Sequence, residues 1–337
     1  MPTPRNLLSF FLALTLLVPP FALGATGGTF KDLKPSDFGY DAAIDLQNRN
    51  TMKGFPDGTF RSGLAVNRAE AITIIAEPLI TPEEEKATQS TSFSDIDSSA
   101  WYVPYVEWAV TKKLIQGPPA AKAFHATRSV TKAEFLKMLF LAYGVDPNSY
   151  SEVQLPLSKD VTDPKAWHYP FLRYGISSSV VVAPKSGILG PSRSLTRIDV
   201  AVLLDRFLQY KSGARTQALL DLSFADLLSA QDALSKSNLK EAEPASARAL
   251  LAARGALAVT PDSPAVKIAV KISEAMRALV RAYRAAAMQD RASVITFSKN
   301  AWDLAEQAKK FSPSATAIAQ QIQKYAKNFA DSARKGK

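Results

Sequence analysis

Three short segments of this chain end alike: Val66-Asn67-Arg68-Ala69-Glu70, Val130-Thr131-Lys132-Ala133-Glu134 and Leu195-Thr196-Arg197-Ile198-Asp199. Their cations, Arg68, Lys132 and Arg197, stand 64 and 65 residues apart. A near-constant period met three times is the signature of a repeat architecture.

The likeness extends upstream of each segment. Phe30-Lys31-Asp32, Phe93-Ser94-Asp95 and Ser158-Lys159-Asp160 open the three units, and an aromatic follows each aspartate at Phe38, Trp101 and Trp167. Apolar residues at helical spacing come next, then a loop, then an apolar anchor eight residues before the cation: Phe60, Phe124 or Leu189. A second helical stretch follows the cation. Each unit therefore reads helix–loop–helix.

Asn67, Thr131 and Thr196 are strong N-cap residues, and an acid stands three positions after each. That spacing predicts a capping box, in which cap and acid each bond the other's backbone N–H. The cation falls at the first helical position, where the helix dipole disfavours positive charge. Two readings stand. The cation, beside free N–H groups, forms a site for a carboxylate or phosphate, or it pairs with an upstream aspartate of its own or a neighbouring unit.

These motifs resemble the S-layer homology (SLH) family, whose pattern runs F-x-D, an aromatic, a helix, a glycine-bearing loop ending G-T-F, and T-R-A-E. The first unit matches through Phe30-x-Asp32, Gly54-Phe55-x-Asp57-Gly58-Thr59-Phe60 and Asn67-Arg68-Ala69-Glu70. The second matches through Phe93-x-Asp95, Trp101, Ile115-x-Gly117, Phe124 and Thr131-Lys132-Ala133-Glu134. The third matches through Asp160, Trp167, Leu189-x-Pro191 and Thr196-Arg197-Ile198-Asp199. The resemblance implies a mainly all-α fold: three tandem repeats (28–80, 91–145 and 155–212) in a pseudo-threefold, three-pronged body. It also implies binding of a secondary cell-wall polysaccharide linked to peptidoglycan, often pyruvylated, in grooves between the prongs.

Carried over residue by residue, the ligand cations are Arg68, Lys132 and Arg197. Asp32, Asp95 and Asp160 accept from sugar hydroxyls, or cap the first helix of each unit. Trp101 and Trp167 offer flat faces to a sugar, although an aromatic at one fixed repeat position reads first as core. Gly54 and Gly117 allow close backbone approach or a turn of positive φ. Lys132 loses the bidentate fork of arginine, and Ala183 stands where the first unit has Gly54. The first groove is therefore expected to be the most complete.

Arg5 followed by the apolar run Leu7 to Val18 and Ala22-Leu23-Gly24 reads as an export signal over residues 1–24. The chain has no cysteine, which excludes disulfides, thiolate metal sites and cysteine nucleophiles. Residues 25–212 carry 21 Lys and Arg against 20 Asp and Glu, but residues 213–337 carry 19 against 11. The basic excess lies in the second part.

That part, 216–337, turns to Ala, Leu, Lys and Arg. Helices are expected near 216–236, 240–258, 264–288, 291–310 and 314–334, as a helical bundle. Ala225, Leu228, Ala230, Ala233 and Leu234 face Ala245, Ala249, Ala252, Ala253 and Leu257 as a small-residue hairpin. Lys267, Lys271, Arg277, Arg281, Arg284 and Arg291 read as a solvated face, or as a contact for an anionic polymer or lipid. Nucleic acid is not expected.

His125 and His168 have no metal-ligand spacing, and Glu83, Glu84 and Glu85 read as loop charges. The sequence contains no nucleophile elbow, phosphate loop or zinc-protease motif. No cofactor, metal or catalytic residue is expected. The chain reads as a non-catalytic, exported wall-anchoring or S-layer-type protein able to self-assemble or meet an envelope partner. The alternative is an envelope enzyme or adaptor that its repeats only target.

Overall fold

The structure, a computed structural model, describes residues 30–87, 90–117 and 120–335. The expected export segment lies outside them. The chain is mainly α-helical, and its first half holds three helix pairs: α1 (Tyr40–Asn48) with α2 (Arg68–Ala76), α4 (Val103–Thr111) with α5 (Lys132–Ala142), and α6 (Tyr169–Ser177) with α7 (Arg197–Lys211). A short α3 (Pro82–Ala87) lies between the first two pairs.

The pairs close on one another in a ring. The residue before each N-cap is buried, and its backbone faces the same residue of the other two units. Val66 N–H donates to Leu195 O at 3.0 Å, Leu195 N–H to Val130 O at 3.0 Å, and Val130 N–H to Val66 O at 2.9 Å. Two units alone would leave one donor and one acceptor of this ring buried and unpaired, which is costly. The helices follow the same order: α2 packs on α4, α5 on α6 and α7 on α1.

Each first helix ends on a residue in the left-handed region: Asn50, Lys113 and Ser179, at φ 57°, 60° and 54°. None is glycine, so each carries a cost of about 1 kcal/mol. The acidic run at Glu83–Glu85, expected as loop, is α3. Thr81 and Glu84 exchange side-chain and backbone bonds at 3.0 and 3.2 Å, which starts a helix. Glu84 then pairs with Lys112 of the next unit at 3.0 Å.

The second half is five helices: α8 (Thr216–Ser235), α9 (Leu239–Val259), α10 (Pro264–Ala287), α11 (Arg291–Lys309) and α12 (Thr316–Arg334), with a 3-10 turn at Pro313–Ala315. Each packs on the next. Ser263 caps α10 and Asp290 caps α11. The α8–α9 seam is small-residue as expected, but its phase differs. Leu227 and Ala230 are buried with Ala245 and Ala249, and Ala233 with Ala242, whereas Ala225 and Leu228 are exposed.

The two halves share a core. Ala247, Leu250 and Leu251 of α9 belong to the apolar cluster that runs through the helix pairs, and α9 lies against α6. At that crossing a Cβ on Gly255 would stand 1.5 Å from Ser177 O.

Asp205 of α7 is 5% exposed, with Gln209 Nε2 donating to its Oδ2 at 2.8 Å. Burial, followed by the Asp45 carboxylate on α1, pushes it up from 3.8 to about 6. Between those values the folded chain keeps a proton that the unfolded chain has released. Stability therefore falls as pH rises from about 4 to 6. Asp205→Asn is expected to stabilise the protein at pH 7 by on the order of 2 kcal/mol and to leave it little changed at pH 4. Thermal melts of both proteins across this range read the difference, and a parallel pH dependence would rule it out.

Candidate functional site

All three capping boxes are formed. Asn67 and Glu70, Thr131 and Glu134, and Thr196 and Asp199 each bond the other's backbone N–H. The next two N–H groups of each helix are also taken, by carbonyls of a neighbouring unit. Arg68 and Ala69 N–H donate to Arg128 and Ala126 O, Lys132 and Ala133 to Arg193 and Pro191, and Arg197 and Ile198 to Leu64 and Ser62, all at 2.8–3.1 Å. The helix N-termini expected to offer free donors to an anion are thus filled by the protein itself.

The cation side chains cross to the same neighbour. Arg68 Nε donates to Phe124 O at 3.0 Å and Arg197 Nε to Phe60 O at 2.9 Å, and Lys132 Nζ donates to Leu189 O. Each cation thereby meets the loop of a different unit, so Arg68 faces the loop of the second unit rather than the Gly54 loop of its own. None of the three forms an ion pair with Asp32, Asp95 or Asp160 among the described residues. Arg68 instead pairs with Glu134 at 3.2 Å, which Arg128 also holds at 2.5 Å. Burial opposes the charge of Glu134, but Arg128, Thr131 and Arg68 outweigh it and hold the carboxyl at about 2. Among the described residues Arg197 donates only to neutral acceptors, Phe60 O and Lys53 O, and it lies 4.9 Å from the rings of Phe55 and Phe60.

Asp32, Asp95 and Asp160 are not helix caps. Each carboxylate spans two successive backbone N–H groups of its own loop: Phe60 and Arg61, Phe124 and His125, Leu189 and Gly190, at 2.7–2.8 Å. The second residue of each pair has φ between 57° and 64°, so the clamp holds a backbone that only Gly190 adopts freely. Burial works against these charges, yet the N–H donors, preceded at Asp160 by the Ser158 hydroxyl, hold all three below the ordinary carboxylate range. Asp95→Ala is expected to cost about 1–3 kcal/mol, and the wild-type advantage disappears as pH falls through the depressed pKa of Asp95. Urea melts at pH 7 and pH 2 test this.

Gly54 and Gly117 do not have positive φ. A Cβ would meet the Phe30 ring at 2.6 Å and Val110 at 2.9 Å respectively, so both glycines admit a neighbouring side chain. The turn glycine of the first loop is Gly58, at φ 82°.

The aromatic at the repeated position points outward in all three units, against the core reading of Trp101 and Trp167. Phe38, Trp101 and Trp167 are 66, 61 and 55% exposed. Around Arg68 one of them completes a groove of about 260 Å³. Arg68 comes from the first unit, Phe93, Gln116, Phe124 and Lys137 from the second, and Trp167 from the third. Lys137 Nζ lies 5.9 Å from the Trp167 ring and forms no ion pair among the described residues. Sequence reasoning passed over Lys137. Its signal was comparative, because the other units have Thr73 and Val202 at that position. A guanidinium, an ammonium and an exposed indole facing one recess suit an anion-bearing sugar.

The family profile of the S-layer homology domain matches residues 29–72 and 92–136, the first two units. The first two units are therefore S-layer homology domains. It is similar to cell surface glycoprotein 1 of Acetivibrio thermocellus, with 26% identity over 182 residues, 52% of this chain and 8% of that protein. It is also similar to the cellulosome-anchoring protein of the same organism (32% over 113 residues, 33% and 25%) and to an endoglucanase of a Bacillus species (27% over 145 residues, 41% and 14%). The chain thus spans a quarter or less of the length of these relatives. The family and the surface-protein relatives make it an exported protein of the cell surface. Among the described residues no helix is long and apolar enough to cross a membrane.

Proposed function

We propose that the protein is a non-catalytic anchor whose three helix pairs, the third acting as an SLH unit like the other two, hold a secondary cell-wall polysaccharide. The groove that joins Arg68, Lys137 and Trp167 from three units carries this reading. An acidic substituent on the sugar, such as a ketal-linked pyruvate, would take the Arg68 and Lys137 charges while a sugar face lies on Trp167. Phe38 and Trp101 occupy the equivalent positions for the other two grooves. Asp32, Asp95 and Asp160 serve by shaping the loops. The relative named a cellulosome-anchoring protein supports attachment to the wall.

The test is cosedimentation of the chain with isolated cell walls before and after acid extraction of the secondary polymer. Binding that disappears on extraction supports polymer anchoring, and binding that survives means the repeats recognise something else in the wall. The endoglucanase relative favours a second reading, in which the repeats carry a catalytic part to the envelope. Release of reducing sugar from wall material by the purified chain would establish that reading.

A further inference from the structure

α10 presents Arg277, Arg281 and Arg284 to a cleft of about 500 Å³ that lies where the five-helix half meets the third helix pair. Its other walls are Glu152 and Leu155, from the segment leading into that pair, Glu243 of α9, and Phe297 of α11. The acids in the cleft are already engaged. The Glu152 carboxylate is held by Arg254, Glu243 pairs with Arg284 at 3.2 Å, and Asp290 accepts the Ser293 N–H at 3.0 Å.

Among the described residues Arg277 and Arg281 form no ion pair. Arg277 Nη2 donates to the backbone oxygen of Glu152 at 3.1 Å, and its buried Nε meets no acceptor among the described residues. Arg281 lies 4.3 Å over the Phe297 ring and forms no ion pair among the described residues. Two like charges four residues apart on one helix repel. Burial first, then the charges of Arg281 and Arg254, pushes the Arg277 guanidinium down from its ordinary value. Tyr169 and Glu274 offset only part of this, and among the described residues no carboxylate forms an ion pair with Arg277 or Arg281.

We propose that this cleft binds an acidic saccharide, with Arg277 and Arg281 gripping its carboxylate or phosphate and Leu155, Phe297 and Met288 lining its apolar face. The recess has the size of a ligand site, whereas a bilayer surface requires a flat, exposed apolar face. Arg281 covers one face of Phe297, which removes the open stacking platform that single-stranded nucleic acid uses. The site is separate from the groove at Arg68 and does not rest on the function proposed for it.

Isothermal titration of the full chain tests this with galacturonic acid trimer, glucose 6-phosphate, maltotriose, inorganic phosphate and phosphatidylglycerol vesicles. The protein carries Arg68→Ala, so that the main groove is disabled. The expected result is binding of the acid sugar or the sugar phosphate, little heat with maltotriose, and a loss of roughly tenfold or more on adding Arg281→Gln or Arg277→Gln. Arg281 is exposed, so Arg281→Gln keeps the test valid if Arg277→Gln fails to fold. The proposal is overturned if neither acidic saccharide binds, if Arg281→Gln leaves their affinity unchanged, if inorganic phosphate binds as tightly as its sugar ester, or if the vesicles alone bind. Wall cosedimentation of Arg281→Gln with Arg68 intact is expected to match wild type, which separates failure of this site from failure of the anchoring groove.

Discussion

Gly255→Ala is expected to destabilise the protein by about 2–4 kcal/mol, although helix propensity alone predicts the opposite sign. Alanine in a helix interior is worth about 1 kcal/mol more than glycine. Here the added methyl would stand 1.5 Å from Ser177 O and 2.6 Å from the carbonyl carbon. The obstacle is backbone at the last turn of α6, which cannot rotate away as a side chain would. Ser177, Ser178 and Ser179 are fully buried, Ser179 has positive φ, and Arg215 Nε donates to its Oγ at 2.6 Å. On the other side of the contact Tyr210 Oη donates to Gly255 O at 3.3 Å. The substitution must therefore push α9 away from α6 and open the packing of Leu250 and Leu251. Overpacking of this kind costs 1–3 kcal/mol or more. Thermal unfolding decides the matter, and an unchanged or raised midpoint would mean that α9 does not approach α6 this closely.

That contact explains why part of the architecture was legible in the sequence and part was not. The capping boxes were readable because they are local: cap and acid lie three residues apart, and their bonds depend on little else. The five later helices were readable for the same reason, with Pro264 and Pro313 just inside helix starts. The ring of Val66, Val130 and Leu195 was not. Its hydrogen bonds join residues 64, 65 and 129 positions apart, and nothing in an apolar side chain announces a backbone pairing.

The same distinction divides the candidate site. The cations stand out by their repeated position, but pairing with an upstream aspartate, one of the two readings open for them, does not form: each reaches the loop of a different unit. For Trp101 and Trp167 the sequence leaves two readings open, a flat face for a sugar and a core aromatic, and the general weight of aromatics in cores favours the second. Their fixed position reflects instead the rim of a groove. For the aspartates the sequence offers a sugar acceptor or a cap of the helix that follows; the cap reading fails, because the N–H groups they hold lie 28–30 residues further on.

The three grooves are not equal, and Arg68→Ala is expected to reduce wall binding by roughly 10- to 100-fold, with Lys132→Ala the least harmful of the three cation substitutions. The Arg68 groove gathers four charged side chains: Arg68, Arg128 and Lys137 against Glu134, with Trp167 exposed beside them. The Lys132 groove has Arg193 locked onto Asp199 at 2.8 Å, a lysine without a planar fork, and Val202 in place of Lys137. The Arg197 groove has a fork with no ion pair among the described residues, but Leu64 and Thr73 replace Arg128 and Lys137, so its field is weaker. Lys137→Ala should accordingly cost binding without costing stability, since Lys137 makes no ion pair among the described residues. Arg68→Lys keeps the charge and loses the bidentate geometry, so its affinity should fall between wild type and Arg68→Ala. Equal losses from Arg68→Ala, Arg197→Ala and Lys132→Ala, in proteins with matched melting points, would mean that the polymer engages all three grooves alike and that the extra cations around Arg68 serve only the packing of the ring.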